Sequence, residues 1–508
     1  MKDKKNKKFS KKIKKSIYKW HRTLGIITII PVIFWCISGL MHPVMAHWFR
    51  PNIAHEKIEA TAFPKEQIHL SLQEVLAKNN IEVFKNFHLV SFNNKTYYQI
   101  KTNPINEVLY LDAVTGNPLK KGDQLYAEWL SRYFLEDSKS KITNTVLLTE
   151  FDGQYKYVNR YLPVWKVTFE NADNMDVYVE TTSSKLATYN TTSRKIQLWI
   201  FDQFHNWNFL EAISNNSIRI VLMLLLLGII TLSALSGIVI YGFFWKAFKK
   251  APVTDNDSRF KKHHRKIGLA VSLVTFTFAF SGGYHATKKW EPYTLDKMVY
   301  TPDFKTQNIG LSNLELKPDS TWSNLSLIQF KNKNYYQVSL LPNEEDEIKN
   351  RYIDAKTAAI TPDIEEEYVR FLANTFAKMT ATKGTLPADC CEVENNESCI
   401  KNAQVVSSKY LYQFDRRDYG FVNKRLPVIQ LSYDTPDKTS FYIEPSTSRL
   451  ASIVTNADRT EGYSFAILHK FLFMDWAGKN IRDLTMALSA MGVLVVSLLG
   501  LYLFIKRK

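Results

Sequence analysis

The chain has 508 residues, with 66 lysines and arginines against 49 aspartates and glutamates, for a formal net charge of +17; its mean hydropathy is −0.22. That length exceeds one compact domain, and that hydropathy is too low for a chain lying mostly within lipid, so a few spans joined by large water-exposed segments are expected. The cations crowd Lys2–Lys19, Lys246–Lys266 and Lys506–Lys508, each beside an apolar run; this argues for membrane flanks and against a nucleic-acid-binding tail.

In chain order, a basic segment (1–21) precedes a first span (22–45), whose apolar stretch runs from Leu24 to Met45. The stretch is longer than the roughly 7–15 apolar residues of a signal peptide and lacks a small-x-small cleavage pattern, so it reads as a retained anchor. A long segment (46–215) leads to a second span (216–244), a basic loop (245–265), a third span (266–285), a second long segment (286–481), a fourth span (482–505) and a basic tail (506–508). A helix of about 20 apolar residues crosses a hydrocarbon core of roughly 30 Å. The third span is the weakest, being interrupted by Thr275, Thr277 and Ser281. The positive-inside rule places both termini and the basic loop in the cytoplasm and the two long segments outside, which in a two-membrane bacterium is the periplasm.

The first long segment opens with a short amphipathic stretch, Ser71 to Lys78, followed by strands at Lys95–Lys101, Glu107–Asp112, Tyr161–Glu170 and Asp176–Glu180. Many of these pieces recur. Tyr97-Tyr98-Gln99-Ile100 returns as Tyr335-Tyr336-Gln337-Val338, Tyr110-Leu111-Asp112-Ala113 as Tyr352-Ile353-Asp354-Ala355, and Leu162-Pro163-Val164 as Leu426-Pro427-Val428. Strands at Val428–Tyr433 and Thr439–Glu444 match the later pair. Asp152 and Asp415, each ahead of a repeated Leu-Pro, read as turn caps. Two halves of like build are therefore expected, packed about a pseudo-two-fold axis along the membrane normal.

Histidines recur with the repeat. His21 opens the first span and His42 closes it; His264 and His285 do the same for the third, so 42−21 and 285−264 both give 21. A third pair, His205 and His469, precedes the second and fourth spans, and 469−205 gives 264, as does 427−163 for the two prolines. Any one of these rings can be an interfacial anchor beside Trp or Arg, but six matched imidazoles at span ends point to metal or haem ligation. His47, His55, His69, His88 and His263 have no matched partner and read as surface residues. Cys36 lies within the first span. Cys390, Cys391 and Cys399 cluster in the second long segment, where an oxidising compartment favours a disulfide from Cys390 or Cys391 to Cys399; a metal site is the alternative.

The His-Arg-x-x-Gly opening (His21, Arg22, Gly25), the Ser-Gly pairs (Ser38-Gly39, Ser281-Gly282), the Tyr-x-x-Asp-x-x-Thr-Gly turn (Tyr110, Asp112, Thr115, Gly116) and the Leu-His at His469 resemble the PepSY-associated transmembrane helix family over essentially the whole chain. Two features depart from its pattern. The second turn runs Asp354-Ala355-Lys356-Thr357-Ala358, a degraded copy, and His263-His264 stands where the first half has Trp20-His21, leaving the ligand register open by one residue.

The resemblance implies an α+β membrane protein of two pseudo-symmetric halves, each with an external PepSY-type module. It also implies a bacterial inner-membrane reductase containing haem b, two groups in all, that passes electrons from a cytoplasmic donor or quinol to an external ferric siderophore or similar chelate. The axial candidates are His21, His42, His205, His264, His285 and His469, with Arg22 and Arg265 placed for a haem propionate or a lipid headgroup. Phe34, Trp35, Phe276, Phe278 and Phe280 are available to cover a ring, and Gly39, Gly282 and Gly283 allow close approach. The 21 residues from His21 to His42 span about 31 Å at 1.5 Å per residue, so one haem cannot use both. Either His21 and His264 clasp an inner haem while two of the other four clasp an outer one, or both haems lie near the outer face. The former is preferred because it provides an electron entry point. The rival readings are an anchored PepSY binding or regulatory protein without a cofactor, and an accessory subunit for siderophore or metal uptake. No Gly-rich nucleotide loop and no serine or cysteine nucleophile motif is found.

Overall fold

A computed structural model describes residues 2–506 except 103–107, 212, 251, 289, 291–294, 296, 346, 363, 383–399, 401–402 and 416. Cys390, Cys391 and Cys399, and with them the expected disulfide, lie outside the described residues. The protein is α+β. Its helices are α1 (Lys2–Pro43), α2 (Leu72–Lys78), α3 (Gly122–Leu135), α4 (Thr192–His205), α5 (Asn216–Lys250), α6 (Asn256–Thr287), α7 (Ile364–Thr382), α8 (Asn456–Ser464) and α9 (Lys479–Ile505). Four of them contain stretches long and apolar enough to cross a membrane: Lys15–Pro43, Asn216–Lys246, Asn256–Thr287 and Lys479–Ile505.

The chain divides into two units. One comprises Met1–Arg50, Ser193–Pro292 and Asp458–Lys508; the other comprises Pro51–Thr192 and Tyr293–Ala457.

In the first unit α1 and α6 each pack against both α5 and α9, so α1 and α6 stand diagonally across a four-helix arrangement. The hydroxyls that interrupt the third span do not break it. Thr275 donates to Val271 O, Thr277 to Val274 O and Ser281 to Thr277 O, which satisfies them within the helix. Asp255 caps α6 by accepting from Ser258 N at 2.7 Å.

The second unit holds antiparallel sheets. Three-stranded β2 (Asn86–Phe92), β3 (Lys95–Lys101) and β4 (Val108–Asp112) are followed by four-stranded β5 (Lys141–Leu148), β6 (Val164–Glu170), β7 (Asp176–Glu180) and β8 (Lys185–Asn190). The same order returns as β10 (Trp322–Phe330), β11 (Lys333–Leu340) and β12 (Asn350–Asp354), then β13 (Val405–Leu411), β14 (Val428–Tyr433), β15 (Ser440–Glu444) and β16 (Arg449–Val454). A short pair, β1 (Val83–Phe84) with β9 (Phe304–Lys305), joins the two stretches.

Alternation along the strands sends neighbouring side chains to different cores. Tyr98 and Ile100 of β3 and Tyr336 and Val338 of β11 share one central core with Leu72 and Leu76 of α2. The intervening Tyr97 packs with α3 and β6, and Tyr335 with α7 and β14. Strands β2 and β10 run beside each other, bridged by asparagines: Asn324 Oδ1 accepts from Leu89 N at 3.1 Å and Asn86 Oδ1 from Leu327 N at 3.4 Å.

Several expectations are corrected. The strand expected from Tyr161 begins only at Val164, after the cis Leu162–Pro163 peptide; Leu426–Pro427 is also cis. The second turn is not degraded in structure. Asp354 accepts from Lys356 N and Thr357 N just as Asp112 does from Val114 N and Thr115 N. Ala358 takes the left-handed conformation (φ +57°) that Gly116 takes in the first copy (φ +73°), at a cost of about 1–2 kcal/mol for a residue with a Cβ. The expected cap at Asp152 holds Gln154 N and Tyr155 N, and Asp415 holds Arg417 N.

Candidate functional site

All six matched histidines belong to the unit of membrane-length helices. At one end of the bundle His21 Nδ1 lies 3.1 Å from Ser233 O and 2.9 Å from Ser236 Oγ, both on α5. His264 Nδ1 lies 3.2 Å from Val496 O on α9. A backbone carbonyl can only accept, so both rings carry their proton on Nδ1 and the lone pair on Nε2. A glycine makes room beside each ring: a Cβ on Gly237 would sit 3.2 Å from His21 Cε1, and one on Gly500 3.5 Å from His264 Cε1. The two histidines lie within electrostatic reach of each other. His264 bonds α9 through its ring, as His21 bonds α5, while His263 is exposed.

At the other end His205 closes α4 and His469 closes a π-helical turn, Phe465–His469. His205 Nδ1 lies 3.1 Å from Ser38 Oγ, and His469 Nδ1 3.2 Å from Ser281 Oγ. Each serine donates its own proton to its helix, Ser38 to Phe34 O at 2.7 Å and Ser281 to Thr277 O at 2.6 Å. The serines therefore accept from Nδ1–H, and again the lone pair is on Nε2. The ring centroids of His205 and His469 are 6.5 Å apart with planes at 88°. Phe201 stacks on His205 (4.5 Å) and meets His42 (6.0 Å), while Phe465 stacks on His469 (4.6 Å) and on His285 (4.2 Å). Six rings thus form one continuous run with the two serine-bound imidazoles at its centre.

The outer members of that run differ. His285 Nδ1 bonds Glu461 at 2.7 Å; His42 is exposed. Phe278 packs on His469 at 5.2 Å, and Trp35 donates to His205 O at 2.9 Å. Gly39 and Gly282 lie against the Cε1 atoms of His205 and His469, whereas Gly283 faces Leu227. Arg265 lies over the Phe248 ring at 4.5 Å, and Arg22 is exposed.

Three of the histidines expected at the surface are not fully exposed: His55 is half-buried and stacks on Tyr133 at 4.8 Å. His47 bonds Asp483 Oδ2 at 2.8 Å, and Asp483 is buried and held also by Arg482. His88 is half-buried and lines a cavity in the second unit.

The sequence reading does not single out the serines of α5 as site residues, though Ser233 and Ser236 lie about one turn apart in a largely apolar span. Among the described residues no group of three or more His, Cys, Asp or Glu side chains is arranged to hold a metal ion.

The fold and this site define the class: an α+β protein with four membrane-length helices and imidazoles gathered at both ends of the bundle. No protein-family model matches the chain, and no curated protein matches it.

Proposed function

We propose that the protein is an inner-membrane haem b reductase of two pseudo-symmetric halves, each carrying an external PepSY-type module, that passes electrons outward to a ferric chelate such as a ferric siderophore. The observation that carries this reading is the shared setting of four matched histidines. His21, His264, His205 and His469 each bind through Nδ1 to a group that only accepts, which leaves the Nε2 lone pair for a metal. Among the described residues no three-ligand ion site is arranged, whereas haem b would need only two imidazoles.

The His205 and His469 rings stand 6.5 Å apart, so both could hold one haem, which would supply one-electron transfer there. His205 and His469 would hold the outer haem and His21 and His264 the inner one, while Phe278 and Phe201 exclude water from the outer pair. Bis-imidazole haem supplies one-electron transfer without an open coordination position. Ser38 and Ser281 fix ring orientation and keep the proton on Nδ1; Ser233 and Val496 do the same at the inner end. Both termini and the 245–265 loop lie in the cytoplasm in this reading, where a soluble donor or membrane quinol reduces the inner group.

Purified protein from haem-replete cells is expected to show the sharp reduced-minus-oxidised absorption of bis-histidine haem b, retained after dithionite reduction and reoxidised by a ferric chelate. Replacing His205 and His469 by alanine should remove about half of the haem, and replacing His21 and His264 the other half. A colourless protein overturns the reading in favour of an anchored pair of recognition modules.

A further inference from the structure

Residues 193–215 and 458–478 belong to the unit of membrane-length helices but lie outside the four stretches able to cross a membrane, yet both expose large apolar side chains. The two segments match, since 471−207 and 473−209 both give 264. Trp207 and Phe471 are buried, Trp207 against Trp35 at 5.2 Å and Phe471 against Phe278 at 5.5 Å. Two residues on, Phe209 and Phe473 tilt against them and are exposed. On α4, Phe204 packs on Phe34 at 5.0 Å and Phe201 meets His42, so the other side of the helix carries Ile196 and Trp199, the latter 61% exposed. Tyr463, the counterpart of Trp199, is exposed too. Just ahead of α5 and α9, Ile213 is 80% and Trp476 85% exposed. Ion pairs fasten both turns to the spans that follow: Arg219 of α5 holds Glu211 at 3.1 Å, and Arg482 of α9 holds Asp475.

Single exposed apolar residues are ordinary on a protein surface, but aromatic side chains exposed together at matched positions of both copies mark an interaction surface. We propose that these two segments are embedded in the membrane leaflet at this end of the bundle, with Trp199, Phe209, Phe473 and Trp476 seated at the boundary of headgroups and acyl chains. Lipid is the occupant because the surface continues that of the spans. Ile213 leads into the exposed Ile218 of α5, and Trp476 into the exposed Ile481 and Leu484 of α9. Tryptophan and tyrosine favour that boundary, where the ring is apolar and its N–H or O–H stays wet. A helix with one apolar and one polar face lies in the plane of such an interface, which is how hydropathy alone assigns these segments to water. His205 and His469 belong to the same segments, so lipid contact helps to hold their rings in place, whatever those rings bind.

Full-length protein in phosphatidylcholine nanodiscs, doped with a phosphatidylcholine that carries a diazirine near the carboxyl end of one acyl chain, tests the proposal by irradiation, digestion and mass spectrometry. Carbene adducts are expected on the peptides that carry Trp199, Phe209, Phe473 and Trp476, at yields within about threefold of those on the span peptides. Phe473→Asp combined with Trp476→Asp should cut adducts on the second segment about fivefold or more and leave those on the first segment and the spans unchanged. Adducts confined to the spans overturn the proposal, as does an unchanged yield in the folded double variant. A dimer by mass photometry with no lipid adducts on either segment also overturns it and gives the surface to a second copy. If the double variant does not fold, the wild-type adduct map decides on its own.

Discussion

At the scale of single residues, the bonds made by Nδ1 matter more than the count of imidazoles. Ser38 and Ser281 each spend their only proton on their own helix and can offer His205 and His469 nothing but a lone pair. Loss of such an orienting partner typically costs 10- to 100-fold in affinity for the bound metal group. Ser38→Ala is accordingly expected to raise the dissociation constant for haem by about that factor, measured as the rate and extent of transfer to apomyoglobin. At the other end Gly237→Val places side-chain atoms against a ring that a Cβ alone would approach to 3.2 Å. It should displace His21 and abolish one of two low-spin haem signals in electron paramagnetic resonance.

Arg425 raises a different residue-scale issue, because it is 3% exposed and bound by two carboxylates. Burial alone would raise the pKa of Glu444, yet Lys185 and Arg425 outweigh it and hold the group at about 2, below its ordinary 4.5. A group depressed on folding stabilises the native state above the unfolded pKa and loses that contribution as pH falls through the folded one. The unfolding midpoint of the wild-type protein should therefore fall between about pH 4.5 and pH 2. Arg425→Met takes a shared cation from two buried carboxylates, leaving Glu444 with Lys185 and Glu180 with Ser183, and should cost about 3–5 kcal/mol at pH 7. It should also move the acid-sensitive range upward, which chemical denaturation at several pH values would detect.

At the scale of elements, legibility followed periodicity. The four membrane-length helices announce themselves by apolar run length, and β3, β7 and β14 have the bounds that β-branched and aromatic composition suggests. Strands β5 and β13 were silent because their faces are largely exposed and polar, as in Lys141-Ile142-Thr143-Asn144-Thr145. Helices α3 and α7 were overlooked because their Tyr and Phe residues, which pack between the sheets, read equally well as strand formers. The turn after β12 misled for a local reason: Ala358 sits where glycine is favoured, but Asp354 and Thr357 supply the hydrogen bonds that hold it. Gly310 is a position where glycine has no substitute. Its φ is +96°, and a Cβ would come within 2.2 Å of Ala355 O. Gly310→Ala should destabilise the protein by well over about 1 kcal/mol, seen as a lower thermal midpoint with the absorption spectrum of any surviving native protein unchanged.

On the scale of the whole molecule, the recurring motifs carried more information than any single one. Spacings of 243 and 264 residues pair His21 with His264, Ser38 with Ser281 and Glu180 with Glu444, and the paired residues make corresponding contacts. What repetition could not convey is where the copies differ. Lys101 follows Tyr97-Tyr98-Gln99-Ile100, whereas Ser339 follows the second copy of that motif, and His88, which pairs with Gln99, has Ser326 as its counterpart opposite Gln337. The cavity of the sheet-bearing unit lies at those unmatched positions.

The path of the backbone between the two units has a further outcome. Residues 51–192 and 293–457 build the sheet-bearing unit, and each stretch begins and ends in the helical one. In a cell, a protease that cut either stretch once would release nothing: both products would keep hydrophobic anchors, and the severed strands would stay tethered beside their former neighbours. Shedding the sheets would take at least two incisions per stretch, so damage at the surface of this molecule is more readily survived than in a receptor hung from a single stalk.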